Sequence, residues 1–515
     1  MSESVKIIEN GLVITCDGQG HVGTFAILVK DDRIAEVNPN AAGLKIRYPQ
    51  AEVIDASEKI IFPGFIDAHY HGESFVLRNW TAGVPASKWH KYPAVRKALA
   101  FVYKEATKDE LAPLYRTAYF SALKSGITTM SEFGFDNEDG PFLAACEAMK
   151  RSDLKGFVGI HNGEQAERAH MQPHPSVRYA FVLPGEDDLT VYNLQMALRL
   201  ASETHWPIIS HLGESRKGLE TTKRNFHRSI VRVLEEYKVL LQPVHLAHLA
   251  SLDEGDDVVL GRMRIPVILN PTSILSKNTD LPPLGKLMGN GIPLALCSDW
   301  GVPDPFENMR SARVLARLCG AETIPAHELI LMHTLQAARA LHVQQDVGSV
   351  EGGKKADLTF LDVSDLRTAL PSESGNITGL LERIILDAGA RHVSDVMING
   401  EFFLRKGQVM TYAEEDLKRE YREAISRISE RTEAKQEEAT PDAAVHTDTP
   451  ILPLHNPILP PPAAGGDEHF EEGFRIVGKT GSLQPSRRNE AERPRPNEPE
   501  DLPKPVRRVF GDEDF

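Results

Sequence analysis

Apolar and polar positions alternate in short runs over the first part of the chain: VKIIENGLVITC, FAILVKDDRIAEV and AEVIDA. A period of two is the strand period, because successive strand side chains face opposite sides. Turn signals such as Asp17-Gly18 separate the runs, so this segment predicts several short antiparallel strands. From about residue 63 to 345 the texture changes. β-Branched runs (GITTMSEFG, GFVGIHNG, PIISHLGES, PVHLAHLAS, IPVILNPTS, IPLALCSDWG) alternate with helical stretches such as LAPLYRTAYFSALKSG and TKRNFHRSIVRVLEEY. Alternation of this kind predicts parallel strands joined by crossover helices, and so many repeats predict a (β/α)8 TIM barrel. Short strands return in ADLTFLDV and VSDVMINGEFFLRKGQVM. The two ends are expected to pair into one small β-sandwich domain, residues 1–62 with 346–412, beside a barrel of residues 63–345.

Next comes AEEDLKREYREAISRISERTEAKQEEA. It puts Leu417, Tyr421, Ala424, Ile425 and Ile428 at helical spacing, which predicts one amphipathic helix over 413–437 docked on the body. From 438 to 515 the chain is rich in proline and charge. Such a segment cannot bury enough apolar surface to offset its ordering entropy, so a disordered C-terminal tail is predicted. PILPPP within it has the form of a polyproline ligand, but a solvated tail is the plainer expectation, and no tail partner is specified.

Composition narrows the classes. Hydrophobic residues make up 41% and charged residues 25% of 515, as in an ordinary soluble globular protein. A net charge of −15 without a basic patch argues against nucleic acid and anionic membrane as partners. No apolar run is long enough to span a bilayer, and the N-terminus lacks the pattern of a signal peptide. The four cysteines form no CxxC pair and read as apolar fillers in a reducing compartment, so a cytoplasmic location is expected. Homo-oligomerisation stays open.

Active-site side chains of a barrel sit at the C-terminal ends of its strands. PGFIDAHYHGE supplies His69 and His71 there. PIISH ends at His211, with Glu214 three residues on. PVHLAH ends at His248 and IPLALCSD at Asp299. An HxH pair alone is as well explained by core histidines, but this convergence predicts a metal site. Imidazole donors favour zinc or iron over calcium or magnesium. His69, His71, His211 and Asp299 are the expected ligands. Glu214 lies past its strand end, after Gly213, where a carboxylate can carry a proton between water and a leaving group. On strand 6 the period of two allows one lumenal histidine; His248 is chosen, and His245 is expected to face the helices. GFVGIH is read as strand 4. Lys155 precedes it, at the wrong end of the barrel, so no lysine is expected to bridge two metals and one ion is predicted. Arg78, Trp80, Glu132 and His161 are candidate substrate contacts from position near the rim, which barrel-rim structure explains equally well.

These residues resemble the amidohydrolase superfamily, and within it the group of triazine chlorohydrolases and purine-type, cytosine deaminase-like enzymes. The resemblance covers about 1–411. It rests on PGFIDAHYH, SGITT before strand 3, HLGE, LAHLASLDE, NPTS after strand 7, SDW, and GSVEGGKKADLTFLD. It implies one zinc or iron held by His69, His71, His211 and Asp299, with His248 on the attacked centre. The implied activity is hydrolysis of a carbon–nitrogen, non-peptide bond of a small molecule. Deamination of an aminated heterocycle or cyclic amidine by metal-bound hydroxide comes first, with Glu214, His248 and Asp299 as the catalytic residues. Displacement of halide or amine from a ring, or opening of a cyclic amide, is the alternative. A metal-stabilised scaffold with a partner-binding tail is the contrasting class, and it has no use for Glu214. The chain departs from the group at Ile274, where PTSN is common, and at Trp300, where glycine often follows the aspartate.

Overall fold

Eight parallel strands form the central sheet: strand 1 (Phe65–Tyr70), strand 2 (Ile127–Glu132), strand 3 (Lys155–Ile160), strand 4 (Val177–Leu183), strand 5 (Ile208–Leu212), strand 6 (Val244–His248), strand 7 (Val267–Leu269) and strand 8 (Leu294–Leu296). The computed structural model describes residues 4–134, 140–171, 173–364 and 376–437, so the predicted tail lies outside the described residues. Each strand is hydrogen-bonded to the next in chain order. The sheet closes between its ends just past strand 8. Tyr70 bridges to Asp299, His71 N–H donates to the Asp299 carbonyl at 3.2 Å, and Asp299 N–H donates to the His69 carbonyl at 3.0 Å. The protein is a (β/α)8 barrel.

Alternation along the strands sorts the side chains. Ile66, Ala68, Phe157, Val182, Ile209, Ala247, Ile268 and Ala295 share one buried cluster, the barrel interior. Their neighbours Phe65, Val158, Leu183 and Ile208 pack outward in the larger core under the helices.

Three expectations are corrected. GFVGIH is strand 3, and strand 4 is VRYAFVL, which the pattern reading passed over. SGITT likewise leads into strand 2 rather than strand 3. Lys155 does start its strand at the end remote from the site, where it pairs with Asp357. His245 does not face the helices. It shares parity with interior Ala247, and its ring lies 5.0 Å from that of Phe157 and 6.1 Å from that of His342. Burial, then His342, pushes its pKa down to about 3, so it is a neutral core imidazole.

Two further sheets use both ends of the catalytic region. Val5–Glu9, Ala26–Lys30, Arg33–Asn38 and Glu52–Asp55 form one of four strands. The other has seven: Leu12–Ile14, Val22–Thr24 and Lys59–Pro63 join Leu358–Asp362, Val393–Ile398, Glu401–Arg405 and Gln408–Val409. Ile8, Val13, Ile27, Ile61, Leu358, Phe360 and Met397 form a shared apolar core. Lys59–Pro63 runs through Gly64 directly into strand 1, so this sheet anchors the strand that carries His69.

The helix Glu414–Glu437 packs on the helix Lys108–Lys124. It buries Leu417, Ala424 and Ile428, sets Tyr421 5.8 Å from Phe75, and pairs Glu420 with Arg116 at 2.8 Å. Ending the chain at residue 413 should therefore cost about 3–6 kcal/mol, at roughly 1.5–3 kcal/mol for each large apolar side chain returned to water. Ending it at 437 should leave the thermal midpoint unchanged, because the residues beyond have no core-forming pattern. Thermal denaturation of the two truncations checks both. No described helix is long and apolar enough to cross a membrane.

Candidate active site

Strand 1 delivers two histidines because its pairing with strand 2 is irregular between Asp67 and Tyr70. Ile66 and Ala68 face the interior, yet Tyr70 packs outward. The irregularity resets the alternation, so His69 and His71 also turn inward at the strand end. Strand 5 needs no such device, since His211 keeps the parity of interior Ile209. On strand 6 the structure brings His248 beside the donor group, but not by the parity argument. His248 lies on the outward parity and reaches the site because the strand breaks there, with φ of +77° at His248 and +48° at Leu249. Asp299 follows strand 8 with φ of +48°.

One donor atom each from His69, His71, His211 and Asp299 lies within 4.8 Å of the others. The Nε2 atoms of His69 and His71 are 3.4 Å apart, those of His71 and His211 3.2 Å, and those of His69 and His211 2.5 Å. Asp299 Oδ1 sits 3.6 Å from His69 Nε2 and 3.4 Å from His71 Nε2. It is buried and has no hydrogen-bond partner among the described residues. Burial, then the neighbouring imidazoles, holds the pKa of His69 and of His211 well below the ordinary value, which leaves their lone pairs free. Burial opposes charge on Asp299, but Lys277 and then the flanking histidines outweigh it and hold its carboxyl well below the carboxylate range. Three imidazole nitrogens, those of His69 and His211 uncharged, converging on an orphaned carboxylate oxygen fit a divalent transition ion of the zinc type.

The residues behind these donors fix their orientation. His71 Nδ1–H donates to Glu73 Oε1 at 2.8 Å, which leaves Nε2 facing the site, and Tyr115 O–H donates to Glu73 Oε2 at 3.2 Å. The Phe133 ring stacks on His211 with centroids 3.8 Å apart and planes 3° apart. Asp299 Oδ2 accepts from Asn270 at 2.9 Å and from Ser273 at 2.5 Å, so Oδ1 is the oxygen left over. Glu73 was legible as a carboxylate two residues after His71 in HYHGE, but it was not singled out. Outer partners of ligating histidines are worth roughly 10–100-fold in metal affinity. Glu73→Ala should weaken zinc by about that factor in a chelator competition.

The remaining polar groups ring the same point. Asn270 Nδ2–H also donates to His248 Nδ1 at 3.1 Å. That places the His248 proton on Nε2, which is buried without a hydrogen-bond partner among the described residues and lies 4.0 Å from Asp299 Oδ1. Glu214 follows Gly213, whose φ is +68°; a Cβ there would stand 3.2 Å from the Leu249 Cα and 3.1 Å from the Ser251 carbonyl. Gly213 N–H in turn donates to buried Glu186. Contrary to expectation, a lysine does reach this end of the barrel. Lys277 closes the helix Pro271–Lys277, with Nζ 3.5 Å from Glu214 Oε1 and 3.5 Å from Asp299 Oδ2. Nothing in the sequence pattern could find it, because its aim depends on the register of that short helix.

An aromatic pair flanks the donor group. The Trp300 ring lies 5.9 Å from that of His71 and 5.0 Å from that of Trp89, with Lys277 Nζ 5.7 Å from its centroid. Of the four rim candidates, Glu132 lies deepest. It is fully buried, its oxygens accept from Gly72 N–H and Tyr119 O–H, and burial, then Glu73, pushes its pKa up to about 8. The Arg78 guanidinium lies over the Phe75 ring at 3.9 Å. Trp80 packs partly buried against the main core. His161 Nε2 lies 3.0 Å from the Phe133 carbonyl, one ring away from His211.

Known proteins show similar sequence and architecture. A 5-methylthioadenosine/S-adenosylhomocysteine deaminase from Moorella thermoacetica is 25% identical over 418 residues, covering 77% of this chain and 93% of that protein. The crystal structure of an adenosine deaminase from Xanthomonas campestris with bound zinc superposes with a TM-score of 0.73 at 21% identity, over 83% of this chain and 99% of that one. A zinc complex of atrazine chlorohydrolase from Arthrobacter aurescens gives 0.70 at 18% identity, over 81% and 99%. The Amidohydrolase family profile matches residues 60–403, from the anchoring strand Lys59–Pro63 through the whole barrel to the returning strands. A match of that extent leaves one assignment: the chain belongs to the amidohydrolase family.

Proposed function

We propose that the protein is a mononuclear metal-dependent hydrolase that deaminates an aminated heterocycle. The observation that carries this reading is His248 Nε2, buried, without a hydrogen-bond partner among the described residues, and 4.0 Å from the donor atom Asp299 Oδ1. A structural metal site has no need of a spare hydrogen-bond donor aimed at its edge. Zinc is the proposed ion, held by His69, His71, His211 and Asp299. When bound it would lower the pKa of water and stabilise charge developing on oxygen. Asp299 takes a proton from the attacking water. His248 Nε2–H donates to the oxygen arriving at the amino-bearing carbon and stabilises charge there. Glu214 carries the proton to the departing nitrogen. A carbon–oxygen bond forms and the carbon–nitrogen bond breaks. One hydrogen of the water leaves with ammonia, and the other stays on the ring as the lactam form. The aromatic pair of Trp89 and Trp300 suits a planar ring, and the purine deaminases among the relatives make purines the first class to test.

One ion per chain is proposed, because Lys277 is engaged with Glu214 and Asp299 rather than free to bridge a second. Elemental analysis should give a single zinc or iron per chain, and two would overturn that count. Zinc-loaded protein assayed on aminopurines, aminopyrimidines and aminotriazines should release ammonia and leave the oxo product by mass spectrometry. Halide release from chlorinated analogues with no ammonia from any amine would replace deamination by ring dehalogenation.

A further inference from the structure

We propose that Lys277 is a positioning residue that holds the Glu214 carboxylate over the reaction centre, an inference that rests on the proton-carrying role just given to Glu214. Glu214 stands on a loop just past Gly213, and its side chain is 38% exposed. A glutamate so placed has several rotamers open to it. Among the described residues, Lys277 is the hydrogen-bond and ion-pair partner of that side chain. The lysine itself is well defined. Its side chain is only 13% exposed, and its helix is pinned four residues earlier, where Ser273 donates to Asp299 Oδ2. Positions four apart lie on one helical face, so one short helix presents both groups to the site.

Lys277 also favours the ionised form of Asp299, but the position of that carboxylate does not depend on it. Asn270 and Ser273 already satisfy the oxygen that Lys277 approaches. Removing the ammonium therefore frees Glu214 while leaving the donor group in place. A displaced catalytic group loses rate steeply, about 10²-fold for about 1 Å. The chemistry calls for an ammonium rather than an apolar filler, since an apolar group offers neither charge nor a hydrogen-bond donor to the two carboxylates 3.5 Å away.

The test is a cycle of Lys277→Met, Glu214→Gln and the double variant, with Lys277→Arg as the conservative control. On a turned-over substrate, Lys277→Met should lower kcat about 10–100-fold with KM within about threefold and zinc content unchanged. Lys277→Arg should recover most of that loss. In the Glu214→Gln background, Lys277→Met should cost nothing further. Additive losses in kcat, or loss of zinc from Lys277→Met, would overturn the proposal. A second readout needs no substrate: thermal midpoints of the four zinc-loaded proteins. Non-additive midpoints support the contact between the two side chains, and additive ones refute it. A wild-type protein inert on every compound but non-additive in its midpoints would remove the deaminase reading and keep the pairing. An active wild type with additive effects would do the reverse.

Discussion

Glu214→Gln is expected to stay folded and metal-loaded while turnover falls about 10²- to 10⁴-fold, the usual range for a positioned acid or base. Glutamine keeps the size of the side chain, but it loses the charge that pairs with Lys277 and cannot accept and return a proton. Glu214 lies outside the four-donor group, so zinc content should be unchanged. Zinc analysis and steady-state kinetics on the same preparation decide the matter. A variant that loses zinc makes Glu214 a ligand, and one that keeps full turnover removes it from the chemistry. This substitution separates an enzyme from a metal-stabilised scaffold, since only the enzyme needs a mobile proton beside its donor group.

His211→Asn should fail in the opposite way, losing metal and stability together. The His211 ring is fixed by its stack on Phe133 and approaches two other imidazole nitrogens. Asparagine is shorter and leaves three donors. Zinc affinity should fall by more than the roughly 10–100-fold that loss of an outer partner costs. Wild-type protein at a zinc concentration 100 times its dissociation constant gains about 2.7 kcal/mol from binding. The variant should forfeit most of that, so its thermal midpoint should hardly respond to added zinc. A midpoint that rises as in wild type would exclude His211 as a ligand.

The barrel and the four-donor group were legible because both rest on short-range patterns. Strand and helix periodicity marks the layers, and strand-end position marks the rim. Strand 4 escaped because VRYAFVL begins directly after the turn-forming run PHPS and was absorbed into a connection. Period two allowed one lumenal histidine and His248 was chosen as the one nearer the strand end, yet its aim comes from a left-handed break that no alternation rule contains. Lys277 escaped for a related reason. Its position is set by where a seven-residue helix starts and how far it turns, and one residue of register would point the ammonium elsewhere. Glu132 shows the converse limit. Being last in a barrel strand placed it near the rim, but partners distant in sequence, Gly72 and Tyr119, buried it.

The seven-stranded sheet bears on how the chain is made. Lys59–Pro63, the root of the strand that carries His69, pairs on one side with Leu358–Asp362, with Leu358 opposite Pro63. At about 5–20 residues per second of synthesis, that edge waits roughly 15–60 s for its partner. An unpaired apolar edge is a template for association with other chains. Late in that interval, once Asp299 has been made, a nascent chain contains all four candidate ligands but not the sheet that fixes the first two. Ion capture is thus expected to follow release from the ribosome rather than to guide folding upon it. Chains stalled before residue 358 should depend on chaperones for solubility, while the finished protein should not.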